Sequence, residues 1–171
     1  MTSVKEFEVL TPPTPEAAGV GAFYFTDRYS IFDWGVMPDR LAEKGAVLCT
    51  MGAHTFERLE AAGIATHYAG VGDPAAPQPL AGAASPPRRM VIELTQTPEL
   101  PQVDGGFDYA AYHDAGGAHQ LVPLEVVFRN AIPPASSVRS RLAPRACGID
   151  RREWPPETVR LASPLVEFST K

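Results

Sequence analysis

The chain has 171 residues, 44% of them hydrophobic, enough for one domain or two small lobes with a real core. Fifteen basic against twenty acidic side chains give a formal charge of -5, which argues against general affinity for nucleic acid, where a basic footprint is expected. Two distant cysteines and four histidines without ligand spacing give no disulfide framework and no zinc motif, and neither a signal core nor the ~20 apolar residues of a membrane span occur, so a cytoplasmic protein without membrane partners is expected.

In chain order, the aromatic run at residues 21–26 predicts a short buried strand. Residues 27–35 (DRYSIFDWG) follow with neither helical nor strand period. Two aspartates, an arginine, a serine and several aromatics in so short a loop need partners or a ligand to order them. From about residue 40 to 62 the pattern is helical, with Leu48, Cys49, Gly52, Thr55, Phe56, Leu59 and Ala62 on one broad face and Glu57, Arg58 and Glu60 turned away. Gly63 stands where a left-handed residue would close that helix. A strand is expected at 64–68. Residues 69–88, rich in Pro, Ala and Gly, read as a flexible loop or linker between lobes.

A strand is predicted over 89–95, then a loop, then the clearest strand of all at 121–128. There the two-residue period puts Leu124, Val126 and Phe128 on one face and Glu125, Val127 and Arg129 on the other, so the second face should border a polar cleft. Glu125, a carboxylate in an apolar strand, is expected to pair with Arg129 or another basic neighbour. After the turn at 132–135, Ser136 or Ser137 is placed to cap a helix that carries Arg139 and Arg141. Hydroxyls, backbone N–H groups and guanidiniums in that arrangement suit a phosphate, although the same residues also fit a plain helix cap with surface arginines. No internal repeat is visible.

Three segments in order resemble the SAICAR synthetase family. DRYSIFDWGVMPDRLAEKGAVL at 27–48 is similar to the family's DR-x-S-x-FD … KG-x-x-L stretch, RLEAAGIATH at 58–67 to its L-x-x-x-GI-x-TH segment, and VPLEVVFRNAIPPASSVRSRL at 122–142 to its P-x-E-x-x-x-R … GSS-x-x-x-RL element. The FDWG-x-MPD wording and the FDYAAY insertion look most like the archaeal-type branch. Each motif alone is weak; the ordered set is specific.

The resemblance implies an α+β fold with an antiparallel sheet and packed helices, the small lobe and the start of the larger lobe of an ATP-grasp-like ligase. In the family, ATP phosphorylates an imidazole carboxylate and L-aspartate then attacks the acyl phosphate, forming an amide on the way to purines. Catalysis of that kind rests on positioning and on metal-assisted charge neutralisation. By the match, Arg129 and Ser136 bind the phosphoribosyl-imidazole carboxylate, with Ser137, Arg139 and Arg141 beside them. Ser30 and Asp33 fall in the loop that lines the substrate pocket, and Asp27 and Glu125 support. Lys44 of the KG pair meets either an anionic nucleotide or only solvent. No metal ligand and no catalytic residue is assigned within the chain; ATP is the expected cofactor, and its Mg²⁺ ligands are expected elsewhere.

Departures from the family pattern matter as much. The N-terminal stretch lacks the lysines of the Y-x-GK-x-K/R hairpin, Glu93 stands where a lysine is common, and Ala135 replaces the glycine before the serines. The D-x-K-x-E-x-G stretch of the family's second half does not occur, and the sequence stops inside an E-F-S-T-K segment. Two lobes are therefore expected, at 1–95 and 96–171, with the missing half supplied by a companion chain or a longer polypeptide; a homo-oligomer is also compatible. Two other functions fit: a ligase of the same fold in a specialised nucleoside pathway, and a non-catalytic nucleotide-binding module.

Overall fold

The structure is a computed structural model, and it describes residues 5–31, 34–97, 99–110, 112 and 119–169. It confirms the α+β class with antiparallel sheets. The chain divides into two compact units, residues 1–121 and 122–171. No helix among the described residues is long and apolar enough to cross a membrane.

In the first unit, β1 (Lys5–Thr11), β2 (Gly19–Phe25), β5 (Tyr68–Val71) and β6 (Arg89–Leu94) form an antiparallel sheet of order β1-β2-β6-β5. The register sets Phe23 opposite Met90 and Gly21 opposite Ile92 on one face, and Ala22 opposite Val91 on the other. Met90, Val91 and Ile92 are all buried, so the centre of β6 is covered on both sides and reads as an unbroken apolar run. β1 is an edge strand whose Lys5, Glu6 and Glu8 discourage pairing with another chain.

The helix α1 (Lys44–Ala61) lies on this sheet. Its buried positions are Gly45, Ala46, Cys49 and Ala53, small side chains that let the backbone approach Met90, Ile92 and Val71 closely. The apolar stripe therefore runs through Cys49, Ala53 and Phe56, and Thr55 and Ala62, expected on it, are exposed. Glu57 is not turned to solvent: its Oε1 accepts from the Tyr68 hydroxyl at 3.0 Å and from the Leu80 amide at 2.6 Å. Gly63 closes the helix at φ +81°, with its N–H on the Glu60 carbonyl and that of Ile64 on Leu59.

Two expectations are corrected here. The strand foreseen at 64–68 begins only at Tyr68. The Pro/Ala-rich stretch after it is no linker between lobes, because it returns to the same sheet as β6. Gln78 exchanges both backbone hydrogen bonds with Val71, and Leu80, in a short 3-10 turn, packs on the core.

Residues 30–36 carry a two-residue pair, β3 (Ser30–Ile31) with β4 (Gly35–Val36), and β7 (Gln102–Val103) pairs with β8 (Gly106–Phe107).

In the second unit, β9 (Glu125–Ile132) pairs antiparallel with β10 (Val159–Ser169). The register slips between Arg160 and Leu165, where Ser163 and Pro164 interrupt the ladder. Between the strands run the single-turn helix α2 (Val138–Arg141) and a 3-10 turn at Pro144–Cys147. Ile132, Val138, Pro144 and Pro155 are buried.

Candidate functional site

In the first unit two of the candidate residues, Asp27 and Lys44, come together just after β2. The Asp27 carboxylate takes both arms of the Arg88 guanidinium, at 2.6 and 3.1 Å, and the Gly45 amide at 2.9 Å. The Arg88 bond and then the Gly45 N–H hold the Asp27 carboxyl below the usual carboxylate range, and the same pairing raises Arg88. Gly45 is required by close approach: a methyl group there would meet the Phe25 carbonyl and stand 2.7 Å from the Arg88 guanidinium. The Lys44 ammonium donates to the carbonyls of Thr26 at 3.2 Å and Arg28 at 2.6 Å. The KG pair thus ties the start of α1 to the chain leaving β2.

A polar cavity of about 330 Å³ opens beside this node, lined by Glu6, Tyr24, Asp27, Arg28, Arg40 and Arg88 among others. Arg28 reaches Glu6 at 2.5 Å. Ser30 stands exposed on β3, opposite Val36. Asp33 lies outside the described residues.

In the second unit the centre is a carboxylate that sequence reasoning missed. Glu167 on β10 accepts from Arg129 Nε at 2.8 Å and from Arg141 at 2.6 Å, with only 15% of its side chain exposed. The bond from Arg129, then that from Arg141, keeps its carboxyl below the ordinary glutamate value. Of the two partners expected for Glu125, Arg129 or another basic neighbour, the first is corrected: Arg129 pairs with Glu167, and Glu125 lies at the start of β9, opposite Ser169. Glu167 faces the same side of the ribbon as Arg129 because its register partner is Val127, two residues away.

Ser137 stands at the N-cap of α2 without a capping bond from its side chain, while the Ser136 hydroxyl accepts the Val138 amide at 3.3 Å. Arg141 lies one turn beyond Ser137. Arg139 turns inward instead. It donates to the carbonyls of Pro155, Ile132 and Glu157, and its guanidinium carbon lies 5.3 Å from the Trp154 ring centre. It braces the segment between β9 and β10, a scaffolding position where a ligand contact was expected.

The face that carries Arg129 is the partly buried one. Its opposite, with Val126 and Phe128, is exposed, the reverse of what an apolar stripe suggests.

The family model for SAICAR synthetase matches residues 14–171. The chain belongs to the SAICAR synthetase family. It is 38% identical over 180 residues to an Archaeoglobus fulgidus protein assigned as a phosphoribosylaminoimidazole-succinocarboxamide synthase, covering all of this chain and 50% of the relative. Solved SAICAR synthetases share the fold. One in complex with ADP matches at a TM-score of 0.51 and 24% identity, over 99% of this chain and 48% of that one. The enzyme of Saccharomyces cerevisiae complexed with SAICAR matches at 0.52 and 18%, over 99% and 49%. The chain spans about half the length of the SAICAR synthetases it matches.

Proposed function

We propose that this chain supplies the nucleotide-substrate half of an ATP-dependent carbon–nitrogen ligase of purine biosynthesis. The ligase joins a phosphoribosyl-aminoimidazole carboxylate to L-aspartate. Family membership and the name of the Archaeoglobus fulgidus relative support the reaction class, and the relatives solved with ADP and with SAICAR support the ligand classes. The observation that carries the assignment to this half is the convergence of Arg129 and Arg141 on Glu167, next to the paired serines that begin α2.

One carboxylate between two guanidiniums fixes both side chains and leaves a net positive charge with further N–H donors for an incoming phosphate. Ser136 and Ser137 add hydroxyl donors at the same turn. Arg139 holds the segment that presents them. By the family match, Ser30 and Asp33 are assigned to the imidazole carboxylate of the substrate. Asp27 supports their loop through Arg88 and Gly45, and Lys44 locks it to α1. ATP would bind with Mg²⁺ whose ligands come from the complementary half. The metal supplies charge neutralisation on the phosphates.

Intact-mass analysis of the denatured sample, followed by an ADP-release assay, tests this. A companion polypeptide, with ADP release that needs both the imidazole carboxylate and aspartate, is the expected result. Arg129→Ala should weaken binding of the phosphoribosyl substrate roughly 10-fold to 100-fold by calorimetry. Substrate binding with no ATP consumption beside any companion would favour a non-catalytic binding module, a reading supported by the turn between β1 and β2, which contains no lysine. Loss of both binding and turnover would overturn the proposal.

A further inference from the structure

In the β9–β10 ribbon, Val166 lies opposite Phe128 and Phe168 opposite Val126, so these four side chains form one continuous face. Val126 is 56% exposed, Phe128 70%, Val166 50% and Phe168 66%. Neighbouring aromatics this open to solvent are the kind of patch that marks an interaction surface. The ribbon has only two strands, so each also has a backbone edge without a neighbouring strand among the described residues. A two-stranded ribbon is marginal by itself and gains stability from added strands or a packed apolar layer.

What covers it is indicated by coverage: the chain matches its relatives from end to end, yet accounts for about half of theirs. We infer that the Val126–Phe128–Val166–Phe168 face is the docking surface for the polypeptide that forms the second half of the SAICAR synthetase fold, which lays an apolar face across it. The inference rests on the ligase reading only in taking that half to be the companion. The surface is distinct from the Glu167 side of the ribbon, which points the other way. Docking therefore stiffens Arg129 through the strand that carries it and does not cover the guanidinium.

The test uses the 171-residue chain and, as probe, the polypeptide equivalent to the second half of the Archaeoglobus fulgidus relative, with Kd measured by interferometry. The unaltered chain should bind. Phe128→Lys with Phe168→Lys should raise Kd more than ~30-fold, and Phe128→Ala with Phe168→Ala about 10-fold, while Phe7→Lys on the other unit changes it less than about twofold. Thermal melts verify folding, which positions two-thirds exposed should tolerate. No binding by the unaltered chain, or undiminished binding by both double variants, overturns the inference. So does a homodimer of the unaltered chain that the lysine variant abolishes, since the occupant is then a second copy. Docking through this face without ADP release sinks the ligase reading and leaves the docking surface standing; ADP release undiminished in the double variants does the reverse.

Discussion

Asp27 and Glu167 do the same work in different units: each carboxylate fixes basic or amide groups that arrive from distant parts of the sequence. Both have lowered folded pKa values, so both stabilise the fold above their unfolded values of about 4. That contribution is lost as pH falls through the still lower folded values, because protonation then breaks the pairs. Thermal melts should therefore be flat between about pH 5 and 8 and fall on the acid side, and Asp27→Asn with Glu167→Gln should flatten that acid limb while lowering Tm at neutral pH. Gly45 is a second residue-scale case. Gly45→Ala would drive a methyl into the Phe25 carbonyl, and a loss of about 3 kcal/mol in urea unfolding is expected. The KG pair was legible as a motif, but its packing reason was not: the groups it meets are sixteen or more positions away or, for Arg88, beyond the helix altogether.

Helix α1 was legible because its period and its Gly63 terminator are local signals, which the chain's own backbone reads. It begins at Lys44 and not near residue 40, since Glu43 adopts a left-handed conformation that sequence gives no reason to expect. The choice of Cys49 and Ala53 over Leu48 and Thr55 as its contact line depends on how close the sheet lies. Burial pushes the Cys49 thiol up to about 11, whereas Cys147 is half-buried. A thiol-specific reagent at pH 8 should label Cys147 first, and Cys49 only at the rate at which α1 lifts off the sheet. Strand β10 escaped detection because Ser163 and Pro164 break its alternation, and Glu167 escaped with it. Strand β1 carries a cleaner signal, Phe7 and Val9 alternating with Glu6 and Glu8.

The two units differ in how much core each possesses. The first has a four-stranded sheet under a helix, with Cys49, Ala53, Val71, Met90 and Ile92 packed together; the second has a ribbon and a few buried side chains. Hydrogen exchange should accordingly protect the amides of β2 and β6 far more than those of β9 and β10. Addition of the second half of the fold should raise protection selectively in the latter pair. Equal protection of the two strand pairs in the isolated chain would contradict this order.

The sequence by itself determined the α+β class, the main helix and its end, strands β2, β6 and part of β9, and through three ordered motifs the family, because those rest on local periodicity and short-range spacing. Only the tertiary structure decided which carboxylate holds Arg129, that Arg139 faces inward, and which face of β9 is bare. Those depend on partners 16 to 38 residues away, and the side a strand buries is fixed by what packs against it, not by its own alternation.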